Sequence, residues 1–108
     1  MNEEEIKPKI ILYLSHPMLN ISYELHQKEI RNMALRLIKD KFIVIIPTTY
    51  RDIIETKEER DLIQKNTIGI LKQCNALFLC KDWERSKNCK RELDMAKLLN
   101  KEIIYEQE

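Results

Sequence analysis

Short apolar runs alternate with amphipathic stretches along this chain. Residues 9–15 (KIILYLS) and 42–46 (FIVII) are almost continuously apolar. Runs of this kind predict strands that are covered on both faces. Residues 75–80 and 102–105 predict a third and a fourth strand in the same way. The pattern therefore predicts four strands separated by longer segments of mixed polarity.

Three of the separating segments predict helices. The first helix follows Ser22 as its N-cap and runs to about residue 40, and the others span residues 58–73 and 87–100. Helical spacing predicts that one apolar stripe of each helix faces the core. These stripes are Leu25, Ile30, Met33, Ala34, Leu37 and Ile38 in the first helix, Leu62, Ile63, Ile70 and Leu71 in the second, and Leu93, Ala96, Leu98 and Leu99 in the third.

The alternating order of strands and helices predicts the fold class. Strands joined by helices of this length run parallel with right-handed crossovers, which gives a three-layer α/β sandwich of Rossmann or flavodoxin type with four or five strands. Strand order 2-1-3-4 places the topological switch point between the first and third strands. The loops at residues 16–20 and 81–88 then meet in one crevice, while residues 48–57 predict a long loop or a partly helical insertion.

Length and charge narrow the class of protein. The 108 residues predict one domain, with residues 1–8 as a flexible tail. A net charge of +1 argues against binding to a nucleic-acid polymer. No apolar run reaches the roughly 18 residues of a membrane span. The acidic N-terminus and the short first apolar run predict no secretory signal, so we expect a cytoplasmic protein without a membrane partner.

The cysteines and the single glycine exclude several kinds of site. Cys74, Cys80 and Cys89 lack the spacing of metal ligands, and we interpret them as reduced structural thiols. Cys89 lies near a predicted helix N-terminus, a position that lowers the pKa of a thiol. Gly69 is the only glycine, so neither a dinucleotide fingerprint nor a P-loop is present. We therefore expect no metal and no cofactor.

Three short motifs carry a resemblance to a known family. They are residues 12–18 (LYLSHPM), 74–76 (CNA) and 83–88 (WERSKN), the last followed by Glu92 six residues after its serine. In their order and spacing the chain resembles the nucleoside 2-deoxyribosyltransferase-like proteins. That superfamily includes deoxynucleoside 5′-monophosphate N-glycosidases and a group of short bacterial and phage proteins. The resemblance covers residues 9–105.

The resemblance implies an activity and a set of site residues. Glu92 would attack the anomeric carbon of a nucleotide and form a glycosyl-enzyme, with Tyr13 beside it and Ser86 at the 5′-phosphate. It also implies a homodimer or a larger homo-oligomer. The catalytic candidates are Glu92, Tyr13 and His16, and the substrate-binding candidates are Ser15, Pro17, Met18, Asp82, Trp83, Ser86, Lys87 and Asn88.

The chain departs from the family pattern at three positions. Thr67 stands where relatives place an aspartate aimed at the departing base, and threonine cannot act as a carboxylic acid. Asn88 replaces a glycine and adds bulk near a phosphate or sugar. His16 replaces a small residue, and its ordinary pKa of about 6.5 makes it a candidate for proton transfer to the leaving base.

Other polar and aromatic residues have structural interpretations as well. Ser86 serves as an N-cap in either case, since capping is compatible with anion binding. Trp83 lies in a polar loop, which favours stacking on a base or a subunit contact over a place in the core. His26 is interpreted as an exposed helix residue. A cluster of cations around the same loop suits a phosphate-bearing ligand and consists of Lys81, Arg85, Lys87, Lys90 and Arg91.

Three functional hypotheses follow. The first is cleavage or transfer at the N-glycosidic bond of a nucleotide or nucleoside, with Glu92 as nucleophile. The second, favoured by Thr67 and Asn88, is a non-catalytic binder that sequesters a nucleotide or a nucleotide-derived signal. The third is a small adaptor for a protein partner, which predicts an exposed apolar patch and no stabilisation by ligands.

Overall fold

Strands and helices alternate through the whole described chain. The computed structural model describes residues 9–17, 22–47 and 56–107. The elements are β1 (Ile11–Ser15), α1 (Tyr23–Lys39), β2 (Ile43–Ile45), α2 (Lys57–Lys72), β3 (Ala76–Leu79), α3 (Lys87–Leu98) and β4 (Glu102–Tyr105), with a 3₁₀ turn at Trp83–Arg85. The predicted tail at residues 1–8 and most of the predicted insertion at residues 48–57 lie outside the described residues.

The four strands form one parallel sheet in the order β2-β1-β3-β4. Tyr13 of β1 is in register with Ile45 of β2 on one side and with Leu77 of β3 on the other. Because α1 leads from β1 to β2 at one edge of the sheet while α3 leads from β3 to β4 at the other, the connections leave β1 and β3 in opposite directions. The predicted parallel order and the switch point between β1 and β3 are therefore confirmed.

Alternate residues of β1 face opposite layers of the molecule. Leu12 and Leu14 pack with the buried residues of α1, while Tyr13 packs with buried residues of α2 and α3. We call these two sides of the sheet the α1 face and the α2/α3 face. Both faces of the central strands are thus covered by helices, as the near-continuous apolar runs predict. The three-layer α/β sandwich of Rossmann or flavodoxin type is confirmed.

Side-chain caps fix where the helices begin. Ser22 accepts a hydrogen bond from the backbone N–H of Leu25 at 3.1 Å, as predicted. Thr56 accepts one from Glu59 N–H at 3.1 Å at the start of α2. Each cap of this kind contributes about 1 kcal/mol to helix stability. The starts of α1 and α2 are therefore set by local chemistry.

The predicted core stripes need correction at their margins. Leu25 and Ile38 of α1 are exposed, and His26, predicted to be exposed, is buried with 4% of its surface accessible. Leu62 of α2 is 64% exposed and Leu98 of α3 is 83% exposed. The buried positions of α1 fall on one stripe, and His26 precedes Ile30 on it by four residues. Leu25 lies one residue, or about 100°, away from that stripe.

No helix in the described ranges is long and apolar enough to span a membrane.

Candidate functional site

Glu92 lies on the second turn of α3, against the carboxyl end of β1. The Ser15 hydroxyl donates a hydrogen bond to Glu92 Oε1, and the two oxygens are 3.1 Å apart. Ser15 is the last residue of β1 and is fully buried. Glu92 itself is half-buried, although its neighbour Leu93 is buried in the core. A carboxylate is therefore anchored at the switch point of the sheet, where open α/β sheets bind ligands.

Tyr13 lies on the same face of β1, two residues before Ser15. Its side chain is buried, and burial raises the pKa of the Tyr13 phenol. The negative charge of Glu92 and a hydrogen bond to that carboxylate raise the pKa of Tyr13 further. Tyr13 therefore stays protonated near neutral pH and acts as a hydrogen-bond donor to Glu92.

The electrostatic environment of Glu92 contains opposing influences. Burial raises the pKa of the Glu92 carboxyl above its ordinary value, because removing a charge from water disfavours the ionised form. Hydrogen bonds with Tyr13 and Ser15, and the charge of Arg91, lower that pKa in part. The result is a carboxylate with little solvation and two hydroxyl donors. A group of this kind suits nucleophilic attack or the stabilisation of a developing cation.

Thr67 extends this cluster onto α2. Its hydroxyl donates to the carbonyl of Ile63 at 3.0 Å. Thr67 also lies near enough to Tyr13 to lower the pKa of the phenol, against the larger effect of burial. The position that departs from the family pattern thus interacts with the predicted site residue Tyr13.

Ser86 joins the loop after β3 to α3. Its hydroxyl accepts a hydrogen bond from Cys89 N–H at 3.2 Å, so its predicted N-cap role is confirmed. Lys87 and Asn88 are exposed at the first positions of α3. Asp82 is exposed and adopts a left-handed conformation with φ of 68°, which costs a non-glycine residue free energy and turns the chain into the 3₁₀ segment. These four predicted substrate-binding residues therefore lie between the end of β3 and the first turn of α3, three of them exposed and Ser86 half-buried.

Trp83 differs from its predicted setting. Its side chain is half-buried and packs against the core of the α2/α3 face, and its ring lies 5.8 Å from the ring of Tyr105. We expected the indole to make no contact with the core, and this was wrong. Tyr105 of β4 and the core residues beneath the 3₁₀ turn form an apolar surface on which the indole packs. Part of the indole remains accessible beside the loop.

Cys89 also differs from its expectation. Although it lies at the start of α3, burial raises the pKa of its thiol, and hydrogen bonds with Ser15 and Ser86 offset this only in part. The expected lowering of the Cys89 pKa was wrong because loss of solvent outweighs the helix terminus. Cys74, Cys80 and Cys89 are all buried and unpaired as disulfides, which confirms their interpretation as structural thiols.

His16 belongs to a different cluster from Glu92. It follows Ser15 directly, so its side chain turns to the α1 face. Its Nε2 lies 3.3 Å from Glu29 Oε2, and its Nδ1 lies 3.0 Å from the carbonyl oxygen of Pro17. Its ring contacts that of His26 edge-on at a centroid distance of 5.0 Å. The structure thus brings together Tyr13, Ser15 and Glu92, while His16 has its contacts on α1.

The sequence interpretation missed His26 and Glu29. Extending the α1 stripe back by four residues from Ile30 identifies His26, and Glu29 lies three residues further along the helix. Helical spacing therefore contained the signal for this cluster. Pro17 is buried beside His16, and the predicted site residue Met18 lies outside the described residues.

The cations predicted around the loop are all exposed: Lys81, Arg85, Lys87, Lys90 and Arg91. The backbone N–H of Lys81 donates to Glu106 Oε1 at 2.8 Å, which ties the start of the loop to the end of β4. In the part of the chain that the structure describes, no group of three histidine, cysteine, aspartate or glutamate side chains is arranged to hold a metal ion.

One family model matches residues 10–105, from the start of β1 to the end of β4. It is DUF4406, described as a domain of unknown function, and the chain belongs to this family. No curated protein matches the chain. The matched range includes the predicted site residues of β1 and α3, but the family description specifies no substrate or reaction. The resemblance to deoxyribosyltransferase-like proteins therefore stays a prediction.

Proposed function

We propose that this DUF4406 protein binds a nucleotide or nucleoside and cleaves or transfers its N-glycosidic bond, with Glu92 as the nucleophile. The observation that carries the proposal is the 3.1 Å hydrogen bond from Ser15 to the half-buried Glu92 carboxylate at the switch point. Tyr13 supports the same carboxylate from the neighbouring position on the α2/α3 face. The motif resemblance and this geometry both support the proposal that Glu92 is the reacting group.

The proposed reaction is a double displacement at the sugar. A Glu92 oxygen forms a bond to C1′ while the C1′–N bond breaks and its electron pair leaves with the base. Water then attacks C1′ and gives up a proton to the departed base or to solvent, while the glycosyl ester breaks and the carboxylate is regenerated, as in retaining glycosidases. A second base in place of water gives transfer. Ser15 and Tyr13 hold the carboxylate in one orientation throughout, which limits the reorganisation needed in the transition state.

The loop after β3 supplies the proposed contacts to the rest of the substrate. Ser86 uses its oxygen to cap α3, and its hydroxyl proton remains able to donate to a phosphate. The N-terminus of a twelve-residue helix and the exposed Lys87 favour an anion at this place. The accessible part of Trp83 would cover the base or sugar. A 5′-phosphate is thus the feature that would orient the sugar toward Glu92.

A non-catalytic binder is the second candidate, and Thr67 favours it. The Thr67 hydroxyl donates to a helix carbonyl and supplies no carboxylic acid for the leaving base. A protein that lacks this acid but keeps the contacts proposed for the loop after β3 would bind a nucleotide without consuming it. The two candidates therefore predict the same ligands but different fates for them.

Thermal shift with nucleosides, mononucleotides, dinucleotides and cyclic nucleotides, followed by chromatography for free base, separates these candidates. The proposal predicts a ligand that raises the melting temperature and is consumed by the wild type but not by Glu92→Gln. Asp94→Asn, an exposed carboxylate on the same helix, is the matched control and should behave as the wild type. A stabilising ligand that survives intact supports the binder, and the absence of any shift contradicts both.

We also propose a homodimer, because a chain of this length has limited surface with which to enclose a ligand. Leu62 and Leu98 are among the most exposed large apolar residues in the described ranges. Light scattering at increasing protein concentration tests this proposal. A constant mass of one chain would contradict it.

A further inference from the structure

We propose that the preferred substrates are N-glycosides whose base already carries a positive charge, such as N-ribosylpyridinium nucleotides and N7-alkylated purine nucleotides. The inference rests on the proposed function and specifies the substrate class of the same site. It follows from the hydrogen bonds of four hydroxyl and imidazole side chains in the described ranges of the chain, each of which is a candidate to protonate the leaving base. A neutral base leaves readily only when it receives a proton, whereas a cationic base needs none.

The first candidate donor is Thr67. Its hydroxyl carries one proton, and the 3.0 Å contact to the carbonyl of Ile63 uses it within α2. The ordinary pKa of an aliphatic hydroxyl is far above neutrality, so even a free threonine would be a weak acid. Thr67 therefore occupies the position beside Tyr13 without supplying a proton to a leaving group.

The second and third candidates are the hydroxyls of Ser15 and Tyr13. Ser15 donates to Glu92 Oε1 at 3.1 Å, and Tyr13 shares a hydrogen bond with the same carboxylate. Their protons are directed at the nucleophile, where they hold the attacking oxygen in place. Burial and the charge of Glu92 raise the pKa of Tyr13, which makes the phenol a poorer acid still.

The fourth candidate, His16, has both ring nitrogens in contacts on the other face of the sheet. Nε2 lies 3.3 Å from Glu29 Oε2, and Nδ1 lies 3.0 Å from the Pro17 carbonyl oxygen. Only 12% of the His16 side chain is accessible, and its ring packs against His26. In this conformation neither nitrogen has a proton directed at the α2/α3 face, where Glu92 lies.

A cationic base removes the need for these donors. Glu92 attacks C1′, the C1′–N bond breaks, and the electron pair neutralises the positive charge of the ring, so the base leaves as a neutral molecule. Water then replaces Glu92 at C1′ and releases one proton to solvent. The sum is cationic N-glycoside plus water giving sugar, neutral base and a proton. No external acid, oxidant or reductant enters the balance.

The surroundings of the site also favour a positive ring. The Glu92 carboxylate attracts it directly, and the part-accessible indole of Trp83, supported by Tyr105, offers an aromatic face to a cation. The lysines and arginines of the same loop are exposed, so water and salt screen their repulsion of a cationic base. A nucleotide with an anionic phosphate and a cationic base therefore matches the cations of the loop with its phosphate, and Glu92 and Trp83 with its base.

The test compares two nucleotides that differ by one methyl group, 7-methylguanosine 5′-monophosphate and guanosine 5′-monophosphate, each corrected for its uncatalysed cleavage rate. Nicotinamide mononucleotide is a third substrate and distinguishes a pyridinium from a purine preference. We expect the corrected kcat/KM for the methylated purine or the pyridinium to exceed that for guanosine monophosphate at least about 100-fold. A general acid usually contributes a factor of this size, and only the neutral base needs one.

A gain-of-function variant adds a second comparison, in which the change in rate for a neutral base is measured against the change for a cationic base. Thr67→Asp introduces a carboxylic acid beside Tyr13 and should raise cleavage of guanosine monophosphate about tenfold or more, with little change for the cationic substrates. Thr67→Asn has similar size without an acidic proton and should show no such gain. Equal corrected rates for both purines, with dependence on Glu92, would overturn the substrate class and leave the proposed function intact. Cleavage of none of these substrates or of any other N-glycoside would overturn both.

Discussion

Two polar clusters lie at the carboxyl end of β1, one on each face of the sheet. On the α2/α3 face, Ser15 and Tyr13 direct hydroxyl groups at the half-buried Glu92. On the α1 face, His16 pairs with Glu29, whose side chain is 46% exposed. Ser15 and His16 are consecutive residues, so a shift of one position in β1 would exchange the two clusters. The period of two along a strand decides which residue contacts the Glu92 carboxylate.

The two clusters differ in how far their carboxylates are exposed to solvent. The Glu29 side of the His16–Glu29 pair is open to water, since 46% of the Glu29 side chain is accessible, whereas only 12% of the His16 side chain is accessible. Burial raises the pKa of the Glu92 carboxyl, and the protein groups Tyr13, Ser15 and Arg91 lower that pKa in part. We infer that the chemistry belongs to the α2/α3 face, while the α1 face supports the entry of the chain into α1.

The largest expected effect is the loss of turnover in Glu92→Gln. Removing a nucleophile while keeping its shape should lower kcat about a thousandfold or more. Base release measured by chromatography reports the change, with Asp94→Asn as the control on the same helix. Turnover of Glu92→Gln within a factor of ten of the wild type would show that Glu92 does not react.

A smaller loss is expected for Tyr13→Phe. The variant keeps the buried ring and removes one hydrogen bond that lowers the pKa of Glu92, so that pKa should rise further. We expect kcat to fall about 10- to 100-fold, as for loss of one hydrogen bond to a charged group, with its acidic limb moved to higher pH. An unchanged pH profile of kcat would exclude the proposed contact between Tyr13 and the carboxylate.

On the opposite face, His16→Asn should have little effect on cleavage of a cationic substrate. Its contacts are with Glu29 and Pro17, and no proton transfer to the base is required. We expect kcat/KM within about fivefold of the wild type, because none of these contacts reaches Glu92 or the proposed leaving base. A loss as large as that in Tyr13→Phe, measured with nicotinamide mononucleotide, would place His16 in the reaction.

The raised pKa of Glu92 on the α2/α3 face should also make the stability of the fold depend on pH. Because the folded-state pKa of Glu92 is raised, the folded state binds the proton more tightly than the unfolded state. The wild type should therefore lose stability as pH rises from the ordinary carboxyl range through the raised pKa. Glu92→Gln should lack this component and be more stable near neutral pH, as denaturant unfolding at several pH values would show. Equal slopes for the two proteins would contradict the raised pKa.

The smallest expected effect lies away from both clusters, at Gly69 of α2. A Cβ added there meets nothing within 4 Å, so Gly69→Ala should raise the free energy of unfolding by about 0.5–1 kcal/mol through helix propensity alone. Turnover should stay the same. A destabilised variant would indicate that the neighbourhood of Gly69 is occupied in solution.

The sequence predicted the elements and the sheet because these depend on local patterns. The apolar runs of β1 and β3 and the cap at Ser22 are visible in a single sequence, and the order of elements determines the parallel sheet. Ser15 and Glu92 were both candidates, but their hydrogen bond joins residues 77 positions apart. Such a contact depends on the packing of α3 and not on any local pattern.

Errors occurred where tertiary contacts outweigh local chemistry. Cys89 is at a helix N-terminus, yet burial raises the pKa of its thiol. Trp83 lies in a polar loop, yet it packs on the core and near Tyr105. The choice between Leu25 and His26 for the buried stripe of α1 depends on how the helix rotates on the sheet, which its composition alone did not show.

The most direct test of Glu92 as a nucleophile is the stereochemistry of its first product. The reaction is run in water containing methanol, and the anomeric configuration of the methyl glycoside is read by NMR. Attack by Glu92 followed by methanol predicts retention, so a β-nucleotide should give the β-methyl glycoside, and Glu92→Gln should give none. An α-methyl glycoside, or the same β product from Glu92→Gln, would contradict a covalent role for Glu92.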